Sequence, residues 1–393
     1  MSKLLTDWLK EKINDLKEKK VYKEINILQT EQKAKVKIDN KEVIMLSSNN
    51  YLGLSAHPVL KEAAKKGVDE YGCGTSSVRF ICGTMDIHKK LEEKISRFLG
   101  TESALLYISC SAANEGLVPT LISSPQDVVF SDELNHASII DGIRLSKGEK
   151  RIYPHNDMEI LEKYLKETKN DGLRMIITDG VFSMEGDYAK LPTIVKLAEK
   201  YNAFVAVDDS HAVGFIGKHG RGTPEYFGVK VDIHIGTLGK ALGGACGGYI
   251  AGSKQLIDYL TQKSRPYIFS NALPPAVIFI GLAALDLIQQ TDEYKKRLEK
   301  NSQYFRDKIK KIGYKILGEN HPIVPILIGE TPLTLKISKE LLNEGVYICG
   351  FGFPVVPEGK ARLRAQISAA HTIEDLDFCL QVLEKIGKKY KIV

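Results

Sequence analysis

The chain has 393 residues, with 55 Lys and Arg against 49 Asp and Glu, a net charge of +6, and 43% hydrophobic residues. That composition excludes global disorder, and a chain of this length buries a core without disulfides or metals. The charge excess is small, and the Lys-rich stretch 10–20 is broken by Glu11, Asp15 and Glu18. Nucleic acid is therefore not an expected partner.

Leu5, Leu9, Ile13 and Leu16 recur at helical spacing beside Trp8, which predicts an amphipathic N-terminal helix docked on a neighbouring domain or subunit. From residue 56, helical patterns at 57–70, 86–99, 133–146, 157–168 and 190–201 alternate with short apolar runs. The runs are Ala104–Ile108, Val128–Ser131, Met175–Asp179, Phe204–Asp208, Val231–Gly236 and Gly248–Ala251. Strands separated by helices predict a mostly parallel sheet flanked by helices. After Pro274-Pro275 come helices at 276–289 and 292–312, strands Ile323–Ile328, Val346–Ile348 and Arg362–Ile367, and helices at 332–344 and 373–388. The expected plan is an N-terminal segment (1–45), a large α/β domain (46–288) and a smaller α+β domain (289–393).

The most apolar run, 276–285, is about ten residues, where a membrane helix needs about 20, so no membrane partner is expected. The N-terminus lacks the apolar core of a signal peptide. The cysteines, Cys73, Cys82, Cys110, Cys246, Cys349 and Cys379, are scattered with no zinc-site spacing. These features point to a cytoplasmic protein.

Ligands of open parallel sheets bind beyond the C-terminal strand ends. Polar groups follow five of the apolar runs: Ser109-Cys110-Ser111; Ser131-Asp132 and then His136; Asp179 to Ser183; Asp208-Asp209-Ser210-His211; and Gly236-Thr237-Leu238-Gly239-Lys240. A phosphate-binding loop would need Gly at 234 and Ser or Thr at 241, but His234 and Ala241 stand there. A dinucleotide G-x-G-x-x-G also fails, because Gly72-Cys73-Gly74 is followed by Ser77. A lysine between glycines at the end of a buried strand can be desolvated into a nucleophile that condenses with carbonyls. Pyridoxal 5'-phosphate (PLP) needs such a lysine and an acid for its ring nitrogen, which Asp208 can supply. Its phosphate needs amides at a helix start, and Ser109-Cys110-Ser111 precede an apolar helix. Thr237 can add a hydroxyl. A metal held by Asp208, Asp209 and His211 lacks a second cluster to complete it.

The segments DDSHAVGFIGKHGRG, GTLGKALGGACGG and ARLRAQISAAHT resemble the α-oxoamine synthase family of PLP enzymes, from Ser48 to His371. The resemblance implies the aspartate-aminotransferase fold (PLP fold type I) and the joining of an amino acid to an acyl-CoA. Within the family, SSVRFICGTMDIHKKLE and SRPYIFSNALPPA are most similar to the glycine C-acetyltransferase (2-amino-3-ketobutyrate CoA ligase) branch, which takes glycine and acetyl-CoA. The 8-amino-7-oxononanoate synthases, which take alanine and a pimeloyl thioester, are the second reading. A non-catalytic PLP-fold binding or sensor protein is a third, opposed by the intact residue set.

The resemblance implies these roles. Lys240 holds the cofactor aldehyde and moves the proton; Asp208 pairs with the pyridine nitrogen; His211 bonds near the ring hydroxyl; His136 stacks on the ring. Ser183 and Thr237 contact the cofactor, and Cys110 and Ser111 offer amides to its phosphate. Ser270 and Asn271 reach the phosphate of the other subunit, which implies a homodimer with sites at the interface. Arg364 holds the substrate carboxylate, and Asn50 lines the substrate end. After Cys110 the relatives carry a bulky aromatic and then Asp, whereas this chain has Ser111-Ala112.

Overall fold

Parallel strands need long crossover connections, and the alternation of apolar runs with helical segments supplies them. The computed structural model describes residues 2–19, 21–22, 25–169 and 171–393. Its strands are β1 (Lys35–Ile38), β2 (Lys41–Met45), β3 (Ser103–Tyr107), β4 (Val128–Asp132), β5 (Glu149–Tyr153), β6 (Arg174–Asp179), β7 (Phe204–Asp208), β8 (Ile233–Thr237), β9 (Gly248–Gly252), β10 (Ile323–Gly329), β11 (Val346–Tyr347), β12 (Cys349–Phe351) and β13 (Ala361–Gln366).

Strands β3 to β9 form one seven-stranded sheet in the order β3-β9-β8-β7-β6-β4-β5. Only β9 runs antiparallel to its neighbours; the other pairs are parallel. This is the fold of PLP-dependent aminotransferases, with a mostly parallel sheet and a smaller sheet region after it. Side chains alternate across the large sheet. Val129, Met175, Ile177, Ala206 and Ile235 pack with Leu117 and Val118 of the helix Cys110–Leu121. Val128, Phe130, Ile176, Val205 and Val207 face the other way, onto Leu161 and Ile194 of the helices Met158–Glu167 and Leu191–Lys200. Burial on both faces explains why these strands read as continuous apolar runs.

The second sheet, β10-β13-β12, is antiparallel, and a third, β1-β2-β11, joins the N-terminal segment to the C-terminal part of the chain. There β2 pairs in parallel with β11, Ile44 opposite Val346. The helix Glu293–Ile312 serves both regions. Its Leu298 packs in the core of the large sheet, and its Phe305 and Ile309 pack in the core of the small one.

Three expectations are corrected. The N-terminal helix forms at Lys3–Glu18, but Leu5, Trp8, Leu9, Ile13 and Leu16 remain 39–53% exposed and no residue of it is buried. Within one chain it is not docked. The helix expected at 133–146 begins only at Ala137, because the side chain of His136 caps it by accepting from Ser138 N. Finally, β5 and the β1–β2 hairpin are additional. β5 reads EKRIY and is an edge strand, whose charges face water and hide the pattern.

β9 passes against the start of the helix Cys110–Leu121. A Cβ on Gly248 would overlap the backbone N and Cα of Cys110. Because the obstacle is backbone, Gly248→Ala is expected to cost about 1–3 kcal/mol of stability or more, read as a lowered unfolding midpoint in calorimetry.

Candidate active site

The loops after β3, β4, β6, β7 and β8 enclose a cavity of about 290 Å³. Cys110, Ser111, His136 and Ser183 line it, and so do Asp208, His211, Thr237 and Lys240. Sequence reasoning nominated all eight, and the fold brings them together. A larger cavity of about 710 Å³ lies between Phe215–Lys218 and the helix Glu293–Ile312 and holds none of these groups.

The register of β6 and β7 sets Asp179 beside Asp208. Two buried carboxylates this close cannot both ionise cheaply, and their surroundings push them apart. Burial and the charge of Asp208 raise Asp179 well above the usual carboxylate range; its Oδ2 accepts from His136 N at 2.6 Å. Burial would raise Asp208 too, but Lys240 and hydrogen bonds from Ser210 and Asn114 outweigh it and hold Asp208 below its ordinary value. Asn114 Nδ2 donates to Asp208 Oδ2 at 2.7 Å and Ser210 N donates to Oδ1 at 2.9 Å. Asp208 is thus a buried, ionised carboxylate with no salt bridge among the described residues. Its neighbour Asp209 turns away and accepts from Thr223 N and Oγ1 at 2.9 and 2.6 Å. It does not face the cavity with Asp208 and His211, as a shared metal would require.

Lys240 Nζ lies 3.0 Å from His211 Nε2, and His211 Nδ1 lies 2.7 Å from Tyr51 Oη. Burial lowers the pKa of Lys240, and Asp208 only partly counters it. Burial and the charges of Lys240 and Arg364 push His211 well below its ordinary value, so its ring is neutral at pH 7. A lysine made easier to deprotonate beside a neutral imidazole is a nucleophile in waiting.

Arg364, on β13, reaches the cavity wall at Ser183: its Nη1 donates to Ser183 O at 3.2 Å, and Nη2 donates to Gln366 Oε1 at 3.3 Å. Its Nε is buried without a partner. No carboxylate pairs with it among the described residues, so the guanidinium charge is left without a counter-ion.

Three nominated residues stand elsewhere. Asn50 is buried, with its amide donating to Gln32 O and accepting from Ser55 N, both at 3.2 Å. The next-door Asn49 is the one whose amide meets Gln366, the partner of Arg364. Ser270 and Asn271 line a separate small cavity with Arg79 and Tyr267, outside the Lys240 cavity. Thr237 lines the main cavity, but its hydroxyl is spent locally, accepting from Gly239 N at 2.9 Å and donating to Gly247 O at 3.1 Å.

Sequence reasoning missed Asn114, Tyr51 and Gln366. Asn114 carried one faint signal: an amide four residues after Cys110 in the same helix, hence on the same face.

The aminotransferase class I and II profile matches residues 41–383. The chain belongs to this family, in its α-oxoamine synthase branch. It is 47% identical over 390 residues to 8-amino-7-oxononanoate synthase from Thermoanaerobacter pseudethanolicus, covering 98% of each chain. It is 48% identical over 378 residues to 2-amino-3-ketobutyrate coenzyme A ligase from Escherichia coli, covering 95% of each. Serine palmitoyltransferase from S. paucimobilis, solved with PLP and myriocin bound, superposes with a TM-score of 0.94 at 28% identity over the whole of both chains. The protein is a PLP-dependent enzyme of the acyltransferase type. No helix among the described residues is long and apolar enough to cross a membrane.

The residues present fit the cofactor. Lys240 would bind the aldehyde, and the ionised, cation-free Asp208 would take the ring N–H. Cys110 and Ser111 open a helix in which Ser109 Oγ caps the Ala112 amide, and the Cys110 and Ser111 amides at its start suit a phosphate. Asn114→Ala removes the shortest hydrogen bond to Asp208. A charged hydrogen bond is worth about 1.5–3 kcal/mol, so PLP affinity in an equilibrium titration is expected to fall on the order of 10- to 100-fold.

Proposed function

We propose that the protein joins glycine to acetyl-CoA, giving 2-amino-3-oxobutanoate and CoA, and runs the reverse cleavage as well. The observation that carries this reading is a desolvated Lys240 amine in one small cavity, with the Arg364 guanidinium, free of any carboxylate among the described residues, bonded to Ser183 in the cavity wall. Such a space suits a small amino acid held by its carboxylate.

PLP, when bound, withdraws electrons from the bonds at the amino acid's Cα. Arg364 would hold the carboxylate and orient the Cα–H bond. Lys240 Nζ would take that proton, and the low-lying pKa direction of the amine serves this. Asp208 would keep the ring nitrogen charged, and neutral His211 holds the lysine end. His136 closes one side of the cavity, its ring fixed by Ser138 Oγ 2.8 Å from Nδ1. The new C–C bond forms at the acetyl carbonyl as the C–S bond breaks, and the proton leaves with the CoA thiol.

The second reading, alanine with a pimeloyl thioester, is favoured by the 47% identity to an 8-amino-7-oxononanoate synthase. The acyl chain is the discriminating feature. We also read the protein as a cytoplasmic homodimer. Phe80, Ile81 and Phe269 are 62–68% exposed. They flank the bridge between Val78 and Asn271, and a second copy covering this face would bury them and bring Ser270 and Asn271 towards its own cavity.

An absorbance scan during glycine addition, followed by CoA-release assays with each substrate pair, tests the reading. Glycine should shift the cofactor band and acetyl-CoA should release CoA; turnover only with alanine and pimeloyl-CoA would favour the second reading. Arg364→Lys loses the planar fork and is expected to lower kcat/KM by about 10-fold or more, mainly through the amino acid. Light scattering should report twice the chain mass, and Phe269→Asp should reduce it.

A further inference from the structure

The turn that carries Ser183 is held from two sides. On one side stand two arginines of β13. Arg364 donates to Ser183 O, and Arg362 Nη1 donates to Met184 O and Glu185 Oε1, both at 2.9 Å. On the other side stands a histidine that the sequence analysis did not single out. His155 Nε2 lies 3.0 Å from Asp187 Oδ2, and His155 Nδ1 lies 3.1 Å from Asp132 Oδ1. Its ring packs edge-on against Phe182, with centroids 4.5 Å apart.

This arrangement spans three elements. Asp132 ends β4 and also accepts from Leu134 N and Asn156 N, at 2.9 and 2.8 Å. It is therefore fixed to the same strand end that leads into His136. Asp187 closes the turn, with Phe182 N donating to Asp187 O and Gly186 N donating to Phe182 O. The other carboxylate oxygen of Asp187, Oδ1, is buried with no partner. Among the described residues, His155 is thus the only group bonding the Asp187 carboxylate. Asn156 pins the far end of the turn by donating to Tyr188 O at 3.1 Å.

We propose that His155, clamped between Asp132 and Asp187, is a positioning residue: through the turn 182–187 it sets where Arg364 stands to receive the substrate carboxylate. The inference rests on the reading of Arg364 given above. The reasoning is geometric. Of the three hydrogen bonds that orient the Arg364 guanidinium, two go to this turn, to Ser183 O at 3.2 Å and to Met184 Sδ at 4.0 Å. His155 ties the middle of the turn, at Asp187, to Asp132 at the end of β4, and Asn156 ties only its far end, at Tyr188 O. A shift of about 1 Å in a positioning group can cost on the order of 100-fold in rate.

The charge state of His155 supports the clamp. Burial would lower its pKa, but the two carboxylates outweigh this and raise it to about 10. The groups facing it are Asp132 from β4, Asp187 and Glu185 from the turn, and Glu133, whose Oε1 accepts from His155 N at 3.0 Å. A group whose pKa is raised on folding stabilises the fold fully below its unfolded value, near 6.5, and that contribution is lost as pH rises through the folded value. The stability gap between wild type and His155→Gln should therefore be widest below about pH 6.5 and close towards about pH 10.

The test uses the holoenzyme and two variants, His155→Gln and Asp187→Asn; the second leaves no uncompensated buried carboxylate, so it folds even where the first does not. Hydrogen exchange of the amides 182–187, measured without substrate, should speed up in both. With substrates, the KM for the amino acid should rise about 10-fold, while kcat and the acyl-CoA KM change by less than about threefold. A merely structural role would instead lower the unfolding midpoint and the active fraction and leave the amino-acid KM unmoved. Unchanged exchange at 182–187, or an amino-acid KM within about twofold of wild type in a folded variant, overturns the proposal. Should wild type turn over neither glycine nor alanine, the functional reading fails, and the exchange data still judge the clamp.

Discussion

A carboxylate buried at the end of β7 must stay ionised without a cation against it, and much of this architecture serves that one requirement. Asp208 achieves it through hydrogen bonds from Asn114 and Ser210 and the field of Lys240. The adjacent Asp179 gives way, its pKa pushed well up by burial and by the charge of Asp208, and is bonded to the backbone of His136. The parallel register of β6 and β7 makes the pair unavoidable. Its consequence is two acids at a single sheet edge whose pKa values are pushed in opposite directions.

The same edge explains the lysine. Lys240 follows β8 and is desolvated by the walls that bury Asp208, so the field that lowers Asp208 also restrains the fall of the lysine pKa. His211 between Lys240 and Tyr51 is held neutral by its burial and the surrounding cations. The chain Lys240–His211–Tyr51–Gln366 carries this network from the large sheet to β13, beside Arg364. The two regions of the protein thus meet through hydrogen bonds at the place where their chemistry is shared, and the helix Glu293–Ile312 joins their cores behind it.

Several features were legible only after folding, each for a physical reason. β5 is an edge strand whose exposed Glu149 and Lys150 disguise it. Asn114 acts by facing Asp208, 94 residues away, a proximity that no local pattern encodes. His155 stands in an ordinary polar loop, and its two carboxylate partners come from β4 and from a turn more than thirty residues further on. The N-terminal helix carries the amphipathic signature of a docked element, yet none of its residues is buried against the described residues. Hydrophobic periodicity reports that a face wants burial, not what buries it.

By itself the sequence determined the class of sheet, the order of its strands along the chain, and the chemistry-bearing strand ends. Apolar runs between helical segments leave parallel crossovers as the natural arrangement, and polar groups after those runs must gather at one edge. The motifs around Asp208 and Lys240 carried the family. Tertiary structure alone decided the spatial strand order, with β9 inserted antiparallel between β3 and β8. It also decided which of two neighbouring aspartates has its pKa lowered and which raised, and that Asn49 rather than Asn50 approaches Arg364 through Gln366. Those outcomes depend on burial and on partners distant in the chain, and both come into being only when the sheet closes.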